Sequence, residues 1–155
     1  MRIRRYTPRD RQKVLAVFRL NVPDFFDVRE VRDLEEYLDR HHGTYFVVEE
    51  DGEIIGAGGY HFPDGSTGRL SWIFFDPGHR GQGMGGLLVR RGMEEIQKNR
   101  NVTRIVVETS QLAFRFFQTF GLVVEKIERD YWGKGLDLVV MSMPADRDTE
   151  SKRGI

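Results

Sequence analysis

Apolar and polar positions follow two rhythms along this chain, a period of two that marks strands and a period near 3.6 that marks helices. Arg2 to Tyr6 reads as a short first strand. Thr7-Pro8-Arg9-Asp10 then offers an N-cap, a proline at the first helical position and an early acidic residue, so a helix starts there. Val14, Leu15, Val17 and Phe18 form its apolar face, and Asn21-Val22-Pro23 stops it. A second helix uses Val28, Val31, Leu34 and Leu38. Tyr45 to Glu50 and Ile54 to Phe62 are strand-like runs separated by the hairpin signal Asp51-Gly52. Pro63-Asp64-Gly65-Ser66 is the next turn, and Leu70 to Phe75 completes an antiparallel meander.

The rhythm changes at Gly83, after which Leu87, Leu88, Val89, Met93 and Ile96 recur at helical spacing. A strand from Arg104 to Glu108 follows, then a short helix from Ala113 to Phe120 ended by Gly121. Leu122 to Ile127 and Leu136 to Met143 read as closing strands. No repeat or low-complexity linker interrupts this order. The expected fold is α+β, a single domain over residues 1–144 with a mixed, mostly antiparallel sheet of seven strands flanked by helices. Residues 145–155 are expected to be a solvated tail.

Composition narrows the function classes. Lys plus Arg and Asp plus Glu balance at 24 each, so no global field draws the chain to nucleic acid or to an anionic membrane. Any anion site must be local. With no cysteine there is no disulfide, thiolate nucleophile or cysteine-ligated zinc. Met1-Arg2-Ile3-Arg4-Arg5 has no apolar stretch behind it, as a signal peptide or membrane anchor would, and a cytoplasmic protein is expected.

The most informative segment is Arg80-Gly81-Gln82-Gly83-Met84-Gly85-Gly86, between a strand and a helix. Glycines there let backbone N–H groups close around an anion, and the helix dipole and Arg80 add positive potential, so a pyrophosphate is the natural guest. The triphosphatase phosphate loop is excluded, because no Lys-Ser or Lys-Thr follows the glycines. Gly81, Gly83 and Gly86 formally match the dinucleotide fingerprint, with Glu108 near the end of the next strand. A dinucleotide fold, however, begins with its glycine turn, whereas here three antiparallel strands precede it.

At Arg80, Gly83 and Gly85 the chain resembles the GCN5-related N-acetyltransferases, whose coenzyme motif runs Arg or Gln, two residues, Gly, one residue, Gly or Ala. The resemblance extends from Ile3 to about Met143 through the order of elements. It implies that acetyl-coenzyme A (acetyl-CoA) is the co-substrate, that residues 80–86 hold its pyrophosphate, and that the backbone of Ile73, Phe74 and Phe75 meets the pantetheine arm. Ala113 to Leu122 looks like the family's alanine followed by a helix ending in Gly-Phe. Where the family commonly has a tyrosine as general acid, this chain has Phe117, which has no proton to donate and is expected to pack against the pantetheine. The family's asparagine before the alanine is also missing, with Ser110 or Gln111 as substitutes.

The resemblance implies direct acetyl transfer to a primary amine of a small molecule or peptide, helped by a base that deprotonates the amine. Glu108 is the candidate base, against the plainer reading of a solvated strand end. Tyr131 is the candidate replacement acid, against a strand-end aromatic with a solvated hydroxyl. His61 is a weaker base candidate, His79 flanks the glycine turn, and His41-His42 lacks the partners of a metal site, so no metal is expected. Trp72 and the cluster of Phe114, Phe116, Phe117 and Phe120 read mostly as core. The alternative function is a noncatalytic acyl-CoA sensor. A homodimer is a further expectation, since members of the family often dimerise.

Overall fold

A tight hairpin organises the first half of the sheet. Strands β2 (Tyr45–Glu50) and β3 (Glu53–Asp64) are joined by Asp51 and Gly52, both in the left-handed region with φ of 51° and 80°. Two successive positive φ angles give the turn the twist that antiparallel strands need. In this computed structural model, which describes residues 1–79 and 81–145, β1 (Arg2–Arg5) pairs antiparallel with β2 on one side, and β4 (Thr67–Phe75) with β3 on the other. β5 (Arg104–Thr109), β6 (Val123–Gly133) and β7 (Leu136–Pro144) complete a seven-stranded sheet in the order β1-β2-β3-β4-β5-β7-β6. Among the described strands only β4 and β5 pair in parallel, with helix α3 (Met84–Gln97) carrying the chain between them.

Each face of the sheet has its own core. α3 and the short α4 (Phe114–Gln118) cover one face, burying Leu88, Val89 and Ile96 against Phe46, Leu70, Ile105 and Val107. α1 (Arg11–Arg19) and α2 (Glu30–His41) cover the other, burying Val14, Phe18, Leu34 and Leu38 against Tyr45, Val47, Ala57 and Phe74. Close approach of α3 depends on small residues: a side chain on Gly56 would run into Met84, and one on Gly68 into Ile96.

Several boundaries differ from the sequence reading. A single 3-10 turn, Pro8–Asp10, precedes α1, with the Thr7 N–H donating to Asp10 Oδ2 at 2.8 Å. α2 begins at Glu30, and Val28 is 67% exposed, so it is no part of the apolar face assigned to it. β3 runs through Pro63 and Asp64, and β6 continues to Gly133, well past Ile127. Ala145, where a solvated tail was expected to begin, is buried and donates its N–H to Thr103 O at 3.0 Å; the rest of that tail lies outside the described residues. Among the described residues no helix is long and apolar enough to cross a membrane.

Candidate functional site

The site arises where two neighbouring strands part. β4 and β5 pair only from Thr67↔Arg104 to Leu70↔Val107. Beyond Leu70 the β3–β4 register slips between Gly59↔Ser71 and Ala57↔Phe74, and Trp72 takes a left-handed φ of 50°. An extra residue in a strand bends it and increases its twist. The end of β4 therefore swings away from β5 and opens a cleft of about 420 Å³.

Side chains from both cores line this cleft, so it passes through the sheet. Ile73, Phe75, Ala113, Phe116 and Phe117 reach it from the α3 and α4 side. Phe26, Trp72 and Phe74 reach it from the α1 and α2 side. Glu108 to Ser110 form the β5 edge.

The glycine turn stands at the mouth. Asp76 folds the chain after β4, accepting the Gly78 N–H on Oδ1 at 2.8 Å while its own N–H donates to Ile55 O at 2.8 Å. Gly81, which lines the cleft, and Gly83, the N-cap of α3, have φ of 80° and 75°. Only glycine adopts these angles without strain. Past them the free N–H groups of the first turn of α3 form the positive end of the helix dipole. Met84 is buried in the core, so this turn residue offers the site its backbone alone. Gly85 lets the helix close on Phe116, whose Cζ would lie 2.9 Å from an added Cβ. Gln82 is exposed and Gly86 lies beside the Arg90 guanidinium; Arg80 lies outside the described residues.

Of the two expected catalytic side chains, one lies in the cleft. Glu108 lines it but is paired with Arg69 Nη2 at 2.7 Å. Tyr131 is 51% exposed, does not line the cleft, and packs edge-on against Trp132. Phe117 is buried at the cleft wall. His61 sits elsewhere, with Nδ1 2.7 Å from Ser71 Oγ, and burial, Arg69 and His41 push its pKa down to about 4. Gln111 Nε2 donates to Gly135 O at 2.6 Å and its Oε1 accepts from Asp137 N–H at 2.8 Å, fastening the segment after β5 to the β6–β7 turn.

Asn21, Phe25, Phe26, Glu30 and Trp132 also line the cleft and were not assigned to the site from the sequence. Trp132 Nε1 donates to Thr109 O at 3.0 Å, which holds its indole across the end of β5. Phe26 stacks on Trp72 with ring centroids 6.5 Å apart. Asn21 is buried, and its Nδ2 donates to Val17 O at 3.1 Å and Phe75 O at 3.0 Å. Glu30 Oε2 accepts the Asp27 N–H at 2.9 Å. Burial, reinforced by Asp27 and Asp33, pushes the Glu30 pKa up to about 7. The spacing Asp27-x-x-Glu30 is a helix-start signature, the local sequence signal that points to Glu30.

Comparison with known proteins gives a consistent picture. The family model described as the acetyltransferase (GNAT) family matches residues 14–122. An N-alpha-acetyltransferase of Sulfurisphaera tokodaii is 25% identical over 169 aligned positions, covering 92% of each chain. The crystal structure of Ard1 from Thermoplasma volcanium superposes with a TM-score of 0.79 at 16% identity, over 92% of this chain and 96% of that one. The Salmonella typhimurium protein yncA, solved with its cofactor acetyl-CoA, superposes with a TM-score of 0.75 at 18% identity, over 95% of each chain. At these identities the two solved structures bear on the fold.

Proposed function

The chain belongs to the acetyltransferase (GNAT) family and is an acetyltransferase, and from that premise we propose that it moves an acetyl group from acetyl-CoA directly to a primary amine of a small molecule or peptide. The observation that carries this reading is the parting of β4 and β5 beside a glycine turn that opens a helix. A thioester arm laid between the strands would meet backbone groups of Ile73 to Phe75, which have no ladder partner on β5. The residue 81–86 turn would hold the pyrophosphate on its N–H groups, with Arg80 as the neighbouring cation. That yncA was solved with acetyl-CoA supports the same donor for this chain.

Catalysis then rests on holding amine and thioester together and on backbone N–H groups that stabilise the developing oxyanion. The coenzyme leaves as a thiolate, whose conjugate acid has a pKa of about 8.5, so departure does not require the acid that Phe117 lacks. Because the cleft passes through the sheet, the donor would enter from the α3 and α4 side and the acceptor from the α1 and α2 side.

Calorimetric titration with acetyl-CoA tests the donor, with a Gly83→Asp variant as control, since a carboxylate at the turn repels the pyrophosphate. Thiol release is then followed with a free N-terminal peptide, spermidine and benzylamine as acceptors. Saturable binding lost in the variant, with amine-dependent thiol release, is the expected result. Absence of binding refutes the donor assignment, and binding without thiol release to any amine refutes the transfer.

A further inference from the structure

Glu30 combines features that no structural role requires together. It is only 5% exposed and lines the cleft together with Asn21 and the aromatic rings of Phe25, Phe26, Trp72 and Trp132. Among the described residues its carboxylate accepts one hydrogen bond, on Oε2, and no cation pairs with it. Removing a carboxylate from water without a cation is strongly unfavourable unless a partner arrives. Among the described residues the neighbouring cation Arg29 lowers the Glu30 pKa only as a minor influence and is bonded elsewhere: its Nε lies 2.9 Å from Asp27 Oδ1 and its Nη2 donates to Trp132 O at 3.1 Å. Asp27 and Asp33 add negative charge from Glu30's own segment. The residues of β4 and β6 that line the cleft bring no charge, and across it Glu108 is already neutralised by Arg69.

We infer that Glu30 is the catalytic carboxylate of the acceptor half-site, receiving the acceptor's ammonium group among the aromatic rings and taking its proton before acetyl transfer. This rests on the reading of the cleft as an acetyl-transfer site. The aromatic faces favour a cation next to the carboxylate through their quadrupoles. The step balances without any further reagent. An ammonium N–H bond breaks and a Glu30 O–H bond forms; the freed lone pair attacks the thioester carbonyl carbon. The C–N bond forms and the C–S bond breaks, leaving the coenzyme as thiolate. Of the two protons lost by the amine, one ends on the thiolate and one passes from Glu30 to solvent. A carboxyl whose pKa is pushed up to about 7 by burial is a stronger base than an ordinary glutamate and still ionised enough to act near neutral pH.

The chain's two tryptophans both line the cleft, so intrinsic fluorescence reads its occupancy directly. Benzylamine and its neutral isostere benzyl alcohol are titrated at about pH 8, where the carboxylate is ionised and the amine protonated. Wild type is expected to bind benzylamine at least about tenfold more tightly than benzyl alcohol, and Glu30→Gln to bind the two alike. The amide oxygen of glutamine still accepts the Asp27 N–H, so the helix start is kept. Asp33→Asn removes the same formal charge from the exposed face of α2 and is expected to retain the preference. With benzylamine as acceptor, thiol release by Glu30→Gln should fall about a hundredfold and recover as pH rises toward the amine's own pKa. No benzylamine preference in wild type, an equal preference in Glu30→Gln, or transfer within about twofold of wild type overturns the assignment. Acetyl-CoA affinity, measured on both proteins, separates the two failures: if wild type does not bind it the acetyl-transfer reading falls, and if both bind it alike without a benzylamine difference only Glu30 falls.

Discussion

Asn21 ties the C-terminal turn of α1 to the end of β4 at the cleft, and its replacement by alanine is the perturbation with the clearest arithmetic. Its side chain bridges Val17 O and Phe75 O, and its backbone carbonyl accepts the N–H groups of Phe25 and Phe26 at 2.8 and 3.1 Å. Alanine keeps the backbone contacts and removes both side-chain bonds. At about 1 kcal/mol net for each bond, the loss is about 2 kcal/mol. For a chain of 155 residues an unfolding entropy of about 2.1 cal/mol/K per residue converts that into a Tm lower by about 6 °C. Asn21→Asp should fall further, because its carboxylate would face two carbonyl oxygens in a buried site with nothing to donate. Thermal unfolding followed by circular dichroism measures both. A drop below about 2 °C for alanine, or an aspartate variant more stable than the alanine one, would refute the assigned bonds. Acetyl-CoA should bind Asn21→Ala more weakly, since Phe75 is the last residue of β4 before the chain enters the glycine turn.

Two further outcomes follow from the same geometry. At Gly83, with φ of 75° and open space around a Cβ, strain is purely conformational, so Gly83→Asn should be more stable than Gly83→Ala; at Gly85, where a Cβ meets the rings of Phe116 and Phe75 at 2.9 and 3.3 Å, the order should reverse, and differential scanning calorimetry of the four variants reads both ranks. His61 is held neutral in the fold with its pKa down at about 4, against about 6.5 in the unfolded chain, so the unfolded state binds more protons between those values. The stability His61 contributes is complete above about pH 6.5 and declines as pH falls toward the folded pKa; His61→Gln should flatten the urea midpoint over that window, and a slope unchanged from wild type would contradict the burial argument.

The strands, the helices and the glycine turn were legible because each is written in local chemistry: a period of two or 3.6, a proline at a helix start, glycines at left-handed positions. The start of α2 was misplaced because Val28 is apolar and in phase with the helix, although the fold leaves it exposed and begins the helix at Glu30. Tyr131 and Trp132 are adjacent and alternate sides, so which of them meets the cleft depended on the register of β6 on β7, which slips between Glu128 and Gly133. Glu108 was visible as a strand-end carboxylate, while its neutralisation by Arg69 came from the parallel pairing of β4 and β5.

Sequence alone determined the α+β class, the order of elements and the glycine turn that opens α3, because hydrophobic periodicity and backbone preference are properties of residues a few positions apart. Tertiary structure decided where β4 leaves β5, which aromatics wall the opening, and that a glutamate at the start of α2 is buried there with no ion pair among the described residues. Those are consequences of segments far apart in the chain meeting, with Asp27 packed where a side chain on Gly133 would lie and Arg29 bonded to Trp132. Burial and charge pairing set the chemistry of a carboxylate, and both are fixed only when the whole sheet and its two helical layers have closed around it.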